Sequence, residues 1–425
     1  MGLVNDILRE VPLPRMVPIH QSFDETHIPP AEIPAVITAQ LSRPEIAEKI
    51  RPGMEIAITV GSRGVSNVAL ITRSIADFVK SRGATPFVVP AMGSHGGATA
   101  AGQRQLIEGY GVTEEFVGCE IRSSMETVEV GRTPMGTPVH MDRNAYESDG
   151  IIVCGRIKPH TAFRGPYESG IMKMMAIGLG KQHGAELLHV DGFGHFREYI
   201  PMYGNIILRN GPVLCGLALL ENAYDQTREI VSLTPDEIVE KEPELLLRAK
   251  SYMPRLLFDT CDVLVVDEMG KNISGDGMDP NITGRFPTPY ADGGIDAQRV
   301  AVLDLTEVSH GNACGVGMVD ITTRRLYDKI DLEQTYINAV TNTVTAVMKI
   351  PMIMDSDRLA IQMAIKSCNH IDRTTPRMIR IRNTMEMRHI EISEAMLPEA
   401  MAHPDITVLG PAREIEFDEN GNLPL

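Results

Sequence analysis

Between Asp149 and His195 the chain runs DGIIVCGRIKPHTAFRGPYESGIMKMMAIGLGKQHGAELLHVDGFGH. An apolar strand breaks at Gly155, and then Arg156, Lys158, His160, Arg164, Lys173, Lys181, His183, His189 and His195 are set among glycines. Histidine is the side chain that changes charge near neutral pH, and glycine lets backbone approach a ligand closely. Mixed with lysine and arginine, they describe a site for something anionic or metallic. Two further candidates lie upstream: Arg63 in Val60-Gly61-Ser62-Arg63-Gly64, and His95 in Gly93-Ser94-His95-Gly96-Gly97.

The elements that must position these residues read as a βαβ unit. Met54 to Gly61 is strand-like. Ser66 to Arg82 has apolar residues at helical spacing, with Ser66 at its start and Gly83 beyond its end. Thr85 to Ala91 is the next strand, and its two prolines suggest a short or edge strand. Gly150 to Cys154 is a third. Ligands of parallel sheets collect outside the carboxyl ends of the strands, so Arg63, His95 and His160 are expected to share one edge of one sheet. Gly178-Leu179-Gly180-Lys181 is no P-loop, because Gln182 stands where a magnesium-binding hydroxyl would be. A phosphate is better served by Gly93 to Thr99, turning into a helix N-terminus, which makes Ser94, Gly96 and Gly97 candidate cofactor contacts. By residue type alone, Lys173 reads as a helix lysine with its stem over methionines. Met172, Met174 and Met175 read as core packing, and His183 and His195 as ordinary polar histidines.

Forty basic against 56 acidic residues give a net charge of −16 over 425 residues, which argues against nucleic acid or an anionic membrane as partner. The local basic cluster then suits a small anion. No apolar run is long enough to span a bilayer, and MGLVNDILREVPLPRM has charges where a signal peptide needs its apolar run, so a cytoplasmic protein is expected. Six scattered cysteines without a CxxC pair read as reduced thiols. Residues 1–50 read as a proline-rich arm with a helix starting at Pro34. A strand from Pro212 to Leu220 and an acidic helix from Thr234 to Ser251 follow the site. A second α/β pattern then begins, with strands at Asp262–Asp267, Arg299–Leu305, Met378–Ile381 and His389–Ile392 and a helix over Glu333–Met348. The class is α/β: two domains with parallel or mixed sheets flanked by helices, and an active site in the cleft between them. The expected division is 1–257, with 406–425 as a candidate to return to it, and 258–405.

Assembled in this order, the residues resemble the lactate racemase family, enzymes that use a nickel-pincer nucleotide. Ser62-Arg63-Gly64 occupies the place of the family's carboxylate-holding arginine. Gly93-Ser94-His95 matches its Gly-(Ser/Thr)-His motif, and Pro159-His160 matches its Pro-His motif after a strand. Lys173 in SGIMKMM looks like the cofactor-bearing lysine, His189 like the nickel-ligating histidine, and Lys271 like a second-domain lysine that reaches the substrate. Two departures stand out. The family's Asp-x-Thr-Arg-Pro signature is Val60-Gly61-Ser62-Arg63-Gly64 here. Its Gly-Gly-Arg-Lys loop is Ser169-Gly170-Ile171-Met172-Lys173, which leaves Lys181 as a rival for the covalent lysine.

The resemblance implies racemisation or epimerisation of a 2-hydroxy acid, lactate-like or a sugar acid. The C–H beside an ionised carboxylate is barely acidic, so hydride removal coupled to loss of the hydroxyl proton is the easier route. His95 and His160 would be the two acid/bases, one for each enantiomer, and Arg63 would clamp the carboxylate. The cofactor-synthesis enzymes are then transient partners, and a homo-oligomer is open. Two other classes stand beside this one. One is a metal-dependent lyase or hydrolase with His95, His160 and His189 as three ligands. The other is a non-catalytic anion- or cofactor-binding protein.

Overall fold

The computed structural model describes residues 2–424. The chain divides into two compact units, Asp24–Met253 and Met1–Phe23 with Pro254–Leu425.

The first of these is built on a six-stranded sheet in the order Glu120–Ile121, Thr85–Pro90, Glu55–Val60, Gly150–Arg156, Val213–Glu221, Thr227–Leu233. All neighbours run parallel except the last pair, a hairpin-like antiparallel return. Alternate residues go to opposite faces, the two-residue period of a strand. Ala57, Phe87, Val89, Ile151 and Val153 enter the core beneath the helices Phe196–Asn210 and Pro235–Tyr252. Ile56, Ile58, Ile152 and Cys154 enter the opposite core, beneath Ile33–Leu41 and Val68–Ser81. Covering both faces is what a parallel sheet requires. Each fully buried aliphatic or aromatic side chain stabilises it by roughly 1.5–3 kcal/mol. The strand Thr85–Pro90 is not an edge, contrary to the expectation from its prolines. The two-residue strand Glu120–Ile121 pairs only with Phe87 and Val88, so Pro86 and Pro90 fall outside that pairing and no ladder bond to it is lost.

The helix Pro235–Tyr252 starts where Thr234 and Glu237 form a capping box with Pro235 in the first turn. Pro243 sits inside it. A proline there cannot donate to the carbonyl four residues back, and that carbonyl, on Val239, instead accepts the Tyr167 hydroxyl at 2.6 Å. The helix is thereby tied to the loop that follows the strand Gly150–Arg156.

The second unit holds an eight-stranded mixed sheet: Met352–Met354, Ile321–Thr323, Asp296–Leu305, Thr260–Met269, Met378–Ile381, His389–Ser393, Met16–Gln21, Ile406–Val408. Its first five strands are parallel and its last three antiparallel. Two expectations are corrected here. The N-terminal residues do not accompany the first domain: Met16–Gln21 is a strand of this sheet, with Val17 and Ile19 fully buried in its core. Residues 406–425 do not return to the first domain either, since Ile406–Val408 pairs with Met16–Gln21 and Arg413 exchanges backbone bonds with Met16. The divide falls at 253/254, and the second unit takes in both ends of the chain. The expected helix over Glu333–Met348 is Leu332–Asn342, stopped by Thr343 in the left-handed region, with a separate short turn at Ala346–Met348. All six cysteines are free. No described helix is long and apolar enough to cross a membrane.

Candidate functional site

The carboxyl end of the sheet in Asp24–Met253 gathers most of the residues singled out above. The strand Glu55–Val60 delivers Ser62 and Arg63, Thr85–Pro90 delivers the turn with His95, and Gly150–Arg156 leads to His160. His95 Nδ1 lies against the Ser62 hydroxyl. Gly93, Gly96 and Gly97 all have positive φ in the left-handed region. A Cβ on Gly96 would strike the Gln103 amide at 2.6 Å, so that glycine is needed for packing of the turn onto its own helix. Gly97 has open space around it and a φ of 65°, and Ser94 accepts the Ala98 amide through its carbonyl at 3.1 Å.

His160 is held from three sides. Its backbone amide donates to Glu168 Oε2 at 2.7 Å, its carbonyl accepts from Arg164 Nη1 at 2.6 Å, and its Nδ1 accepts the Ala162 amide at 3.0 Å. That last bond puts the single proton of the neutral ring on Nε2. Burial pushes the imidazole well below its ordinary pKa, and the neighbouring Lys173, His189, Arg164 and Arg63 push it the same way. His160 is therefore a neutral ring at pH 7, in one electrostatic neighbourhood with Lys173, His189 and Arg63.

Lys173 stands at the end of the turn Ile171–Lys173, which runs directly into a π-helical segment, Met174–Leu179. Such wide turns are uncommon and recur at functional sites. Gly93 donates its amide to the Gly178 carbonyl at 3.2 Å, which joins the His95 turn to the same segment. His189 closes the following helix, Lys181–His189. Its Nδ1–H donates to the Ala185 carbonyl at 2.7 Å, which leaves Nε2 with a free lone pair. Burial lowers its pKa, the bond to Ala185 opposes that, and Lys173 adds to the lowering. An ε-nitrogen presented in this way, with the other ring nitrogen fixed by a carbonyl, suits a metal. Phe193 bridges the two imidazoles, with its ring 5.9 Å from His160 and 5.7 Å from His189, and Phe163 lies tilted against His160 at 4.6 Å.

Lys181, the rival lysine, is fully buried. Its Nζ donates to the Pro90 carbonyl and to Gln103 Oε1 at 3.1 Å, and it faces Asp142 Oδ2 at 3.1 Å. Burial lowers its pKa and raises that of Asp142, and each pulls the other back. Gln103 in turn donates to the Gly93 and His95 carbonyls at 2.8 and 3.2 Å. Lys181 is thus a brace beneath the His95 turn, with no nitrogen to spare for a cofactor. His183 packs edge-on to His140 at 4.4 Å, and His195 stacks on Tyr199 at 5.4 Å. Lys271 belongs to the other unit, where its amide donates to Ser309 Oγ at 2.9 Å and its Nζ to the Gly275 carbonyl.

Sequence reasoning passed over two carboxylates. Glu168 is buried and gathers His160, Gly165, Arg164 and Lys250 around its two oxygens, the last at 2.7 Å. Glu242, in the helix Pro235–Tyr252, accepts the Met172 amide at 3.0 Å. Gly170 was the available signal, since a glycine ahead of a helical turn often marks something approaching closely. Among the described residues no three His, Cys, Asp or Glu side chains are grouped to hold a metal ion. A metal on His189 would therefore need donors from a bound organic group.

Residues 9–195, a little under half of the chain, match the lactate racemase N-terminal domain. By that match, residues 9–195 are similar to the N-terminal domain of lactate racemases. No curated protein matches the chain. Among solved structures it is similar to a crystal structure of a protein from Thermotoga maritima, at 11% identity and a TM-score of 0.53, covering 86% of this chain and 99% of that one. The lactate racemase apoprotein from Thermoanaerobacterium thermosaccharolyticum aligns at 10% identity and a TM-score of 0.46, covering 81% and 99%. At such identities the first likeness speaks for the mixed α/β fold alone.

Proposed function

We propose that this protein is a lactate racemase-like racemase or epimerase of a 2-hydroxy acid that works with a nickel-pincer nucleotide held by Lys173 and His189. The observation that carries the reading is the placement of His160 and His189 on either side of the Phe193 ring, at 5.9 and 5.7 Å, with the His189 Nδ1 fixed on the Ala185 carbonyl and Lys173 on the turn that leads into the His189 helix. Lys173 would bear the nucleotide covalently, and His189 would ligate nickel through its free Nε2. Ser94 and Gly97, the latter with open space around it, remain proposed contacts for the nucleotide, whereas a Cβ on Gly96 would meet Gln103. When bound, the nucleotide supplies the hydride acceptor that no amino acid can provide.

The chain's own residues bind the substrate and move its hydroxyl proton. Arg63 offers two parallel N–H donors to the carboxylate. His95 and His160 exchange the hydroxyl proton, one for each enantiomer. In its resting tautomer His160 donates from Nε2, so before it can accept there its ring proton must leave or move and the Ala162 amide must let go of Nδ1. Burial keeps His160 neutral, the form that can take up the hydroxyl proton once a ring nitrogen is released. Phe163 and Phe193 exclude water from the two imidazoles. Lys271 enters this reading as the resemblance gives it, a second cation for the carboxylate or hydroxyl. The three-histidine metalloenzyme has no matching cluster among the described residues.

The test is turnover by the full chain produced together with the cofactor-synthesis enzymes, with single enantiomers of a panel of 2-hydroxy acids followed by chiral chromatography. Inversion of one of them, abolished by His160→Ala with nickel retained, is expected. No inversion of any member by nickel-loaded protein would overturn the reading.

A further inference from the structure

We propose that Glu242 is a positioning residue for Lys173, its carboxylate capping the helical turn that carries the lysine. The inference rests on the reading above for what the lysine does, but its own basis is geometric. The first amides of a helix have no partner within it, and a side chain just ahead of the helix usually supplies one. Here the residue just ahead is Gly170, which has none to offer. Glu242 reaches in from a distant helix, and its carboxylate accepts the Met172 amide at 3.0 Å and the Ile171 amide as well.

Gly170 shows how closely the two fit. Its φ of 168° is extended backbone open to any residue. Even so, a Cβ there would lie 2.1 Å from Glu242 Oε1 and 3.1 Å from the carboxyl carbon. The carboxylate, rather than the backbone, keeps this position a glycine. The same helix is fixed to the loop by the Tyr167 hydroxyl on Val239 and by Lys250 on Glu168, so Glu242 cannot drift away from the turn. Glu242 is 1% exposed, and no cation pairs with it among the described residues. Burial raises its pKa to about 8 while the two amides oppose the rise. An acid group kept in such a place needs the amides it caps.

The test uses the full chain without cofactor, as wild type, Glu242→Gln and Glu242→Leu. Two quantities are read: hydrogen exchange at the Ile171 and Met172 amides, and the rate of Lys173 acetylation by acetic anhydride, located by peptide mapping with exposed Lys349 as internal standard. Glu242→Leu should raise exchange at these amides at least tenfold and shift Lys173 labelling at least threefold, while Glu242→Gln, which keeps a carbonyl acceptor, stays within twofold of wild type. Wild-type exchange and labelling in the leucine variant would overturn the proposal. Should that variant fail to fold, Gly170→Ala takes its place, because it displaces the carboxylate. Raised exchange at Ile171 and Met172 is then expected, and unchanged exchange would overturn the proposal. Neither readout depends on an adduct ever forming on Lys173, so failure of the cofactor reading and failure of this one are separate results.

Discussion

Replacing Glu242 with glutamine removes one titrating proton from the core of Asp24–Met253 while keeping the carbonyl that caps the Lys173 turn. In the folded chain burial raises the Glu242 pKa from 4.5 to about 8. Unfolded, the carboxyl loses its proton near the ordinary value. Between these two pH values the folded state holds a proton that the unfolded state has lost, so unfolding releases it and stability falls as pH rises. The effect begins near pH 4.5 and is complete above about 8. At 1.36 kcal/mol per pKa unit the ceiling is roughly 5 kcal/mol, and relaxation of the ionised form around the Ile171 and Met172 amides lowers what is observed. Among its neighbours Tyr167 senses Glu242: its pKa is raised by burial and then by Glu242, and it stays protonated across this window. Urea unfolding followed by circular dichroism at pH 5 and pH 8.5 measures the difference, because the remaining titrating groups cancel between wild type and variant. Glu242→Gln is expected to gain at least 2 kcal/mol over wild type between the two pH values. A gap between the two proteins that does not change with pH would show that Glu242 is ionised throughout, and the reasoning would fail.

Lys181→Met leaves Asp142 buried without its cation and should cost about 3–5 kcal/mol of stability, read by thermal unfolding; in folded wild type, Lys181 should resist acetylation under conditions that label Lys349. Glu168→Ala removes the acceptor shared by the His160 amide and Lys250, and should destabilise the chain by about 2–3 kcal/mol and speed exchange of the His160 amide. His95→Ala and His160→Ala should each abolish turnover with nickel retained, whereas His189→Ala should lose nickel while any adduct on Lys173 stays, as metal analysis and intact mass would report.

How much of this was legible in the sequence depended on how local the determining physics was. The strands Glu55–Val60 and Gly150–Arg156 and the helix Val68–Ser81 lie within a few residues of their expected spans, because period-2 and period-3.6 apolar patterns and flanking glycine are local signals. Arg63, His95 and His160 reach one sheet edge because parallel topology alone dictates it. Other features depend on partners far away in the chain. Met16–Gln21, with Pro18 in its middle, reads as an arm until Ile390 and Ile392 are set beside it. The π-helical turn after Lys173 has no pattern of its own. Lys173 and Lys181 look alike in sequence, and they separate only when Asp142, Gln103 and the Pro90 carbonyl close around the second. Glu168 and Glu242 look like ordinary acidic residues of a loop and an amphipathic helix, and their roles follow from tertiary contacts with His160 and Met172.

The central claim, that Lys173 and His189 hold a nickel-bearing nucleotide beside His160, is tested most directly by mass and metal content. The full chain is produced together with the cofactor-synthesis enzymes, and intact mass, peptide mapping and nickel analysis follow. A nucleotide-sized adduct on the peptide containing Lys173, with about one nickel per chain that His189→Ala removes, is the expected result. An unmodified Lys173 in protein that nonetheless binds nickel would contradict the account.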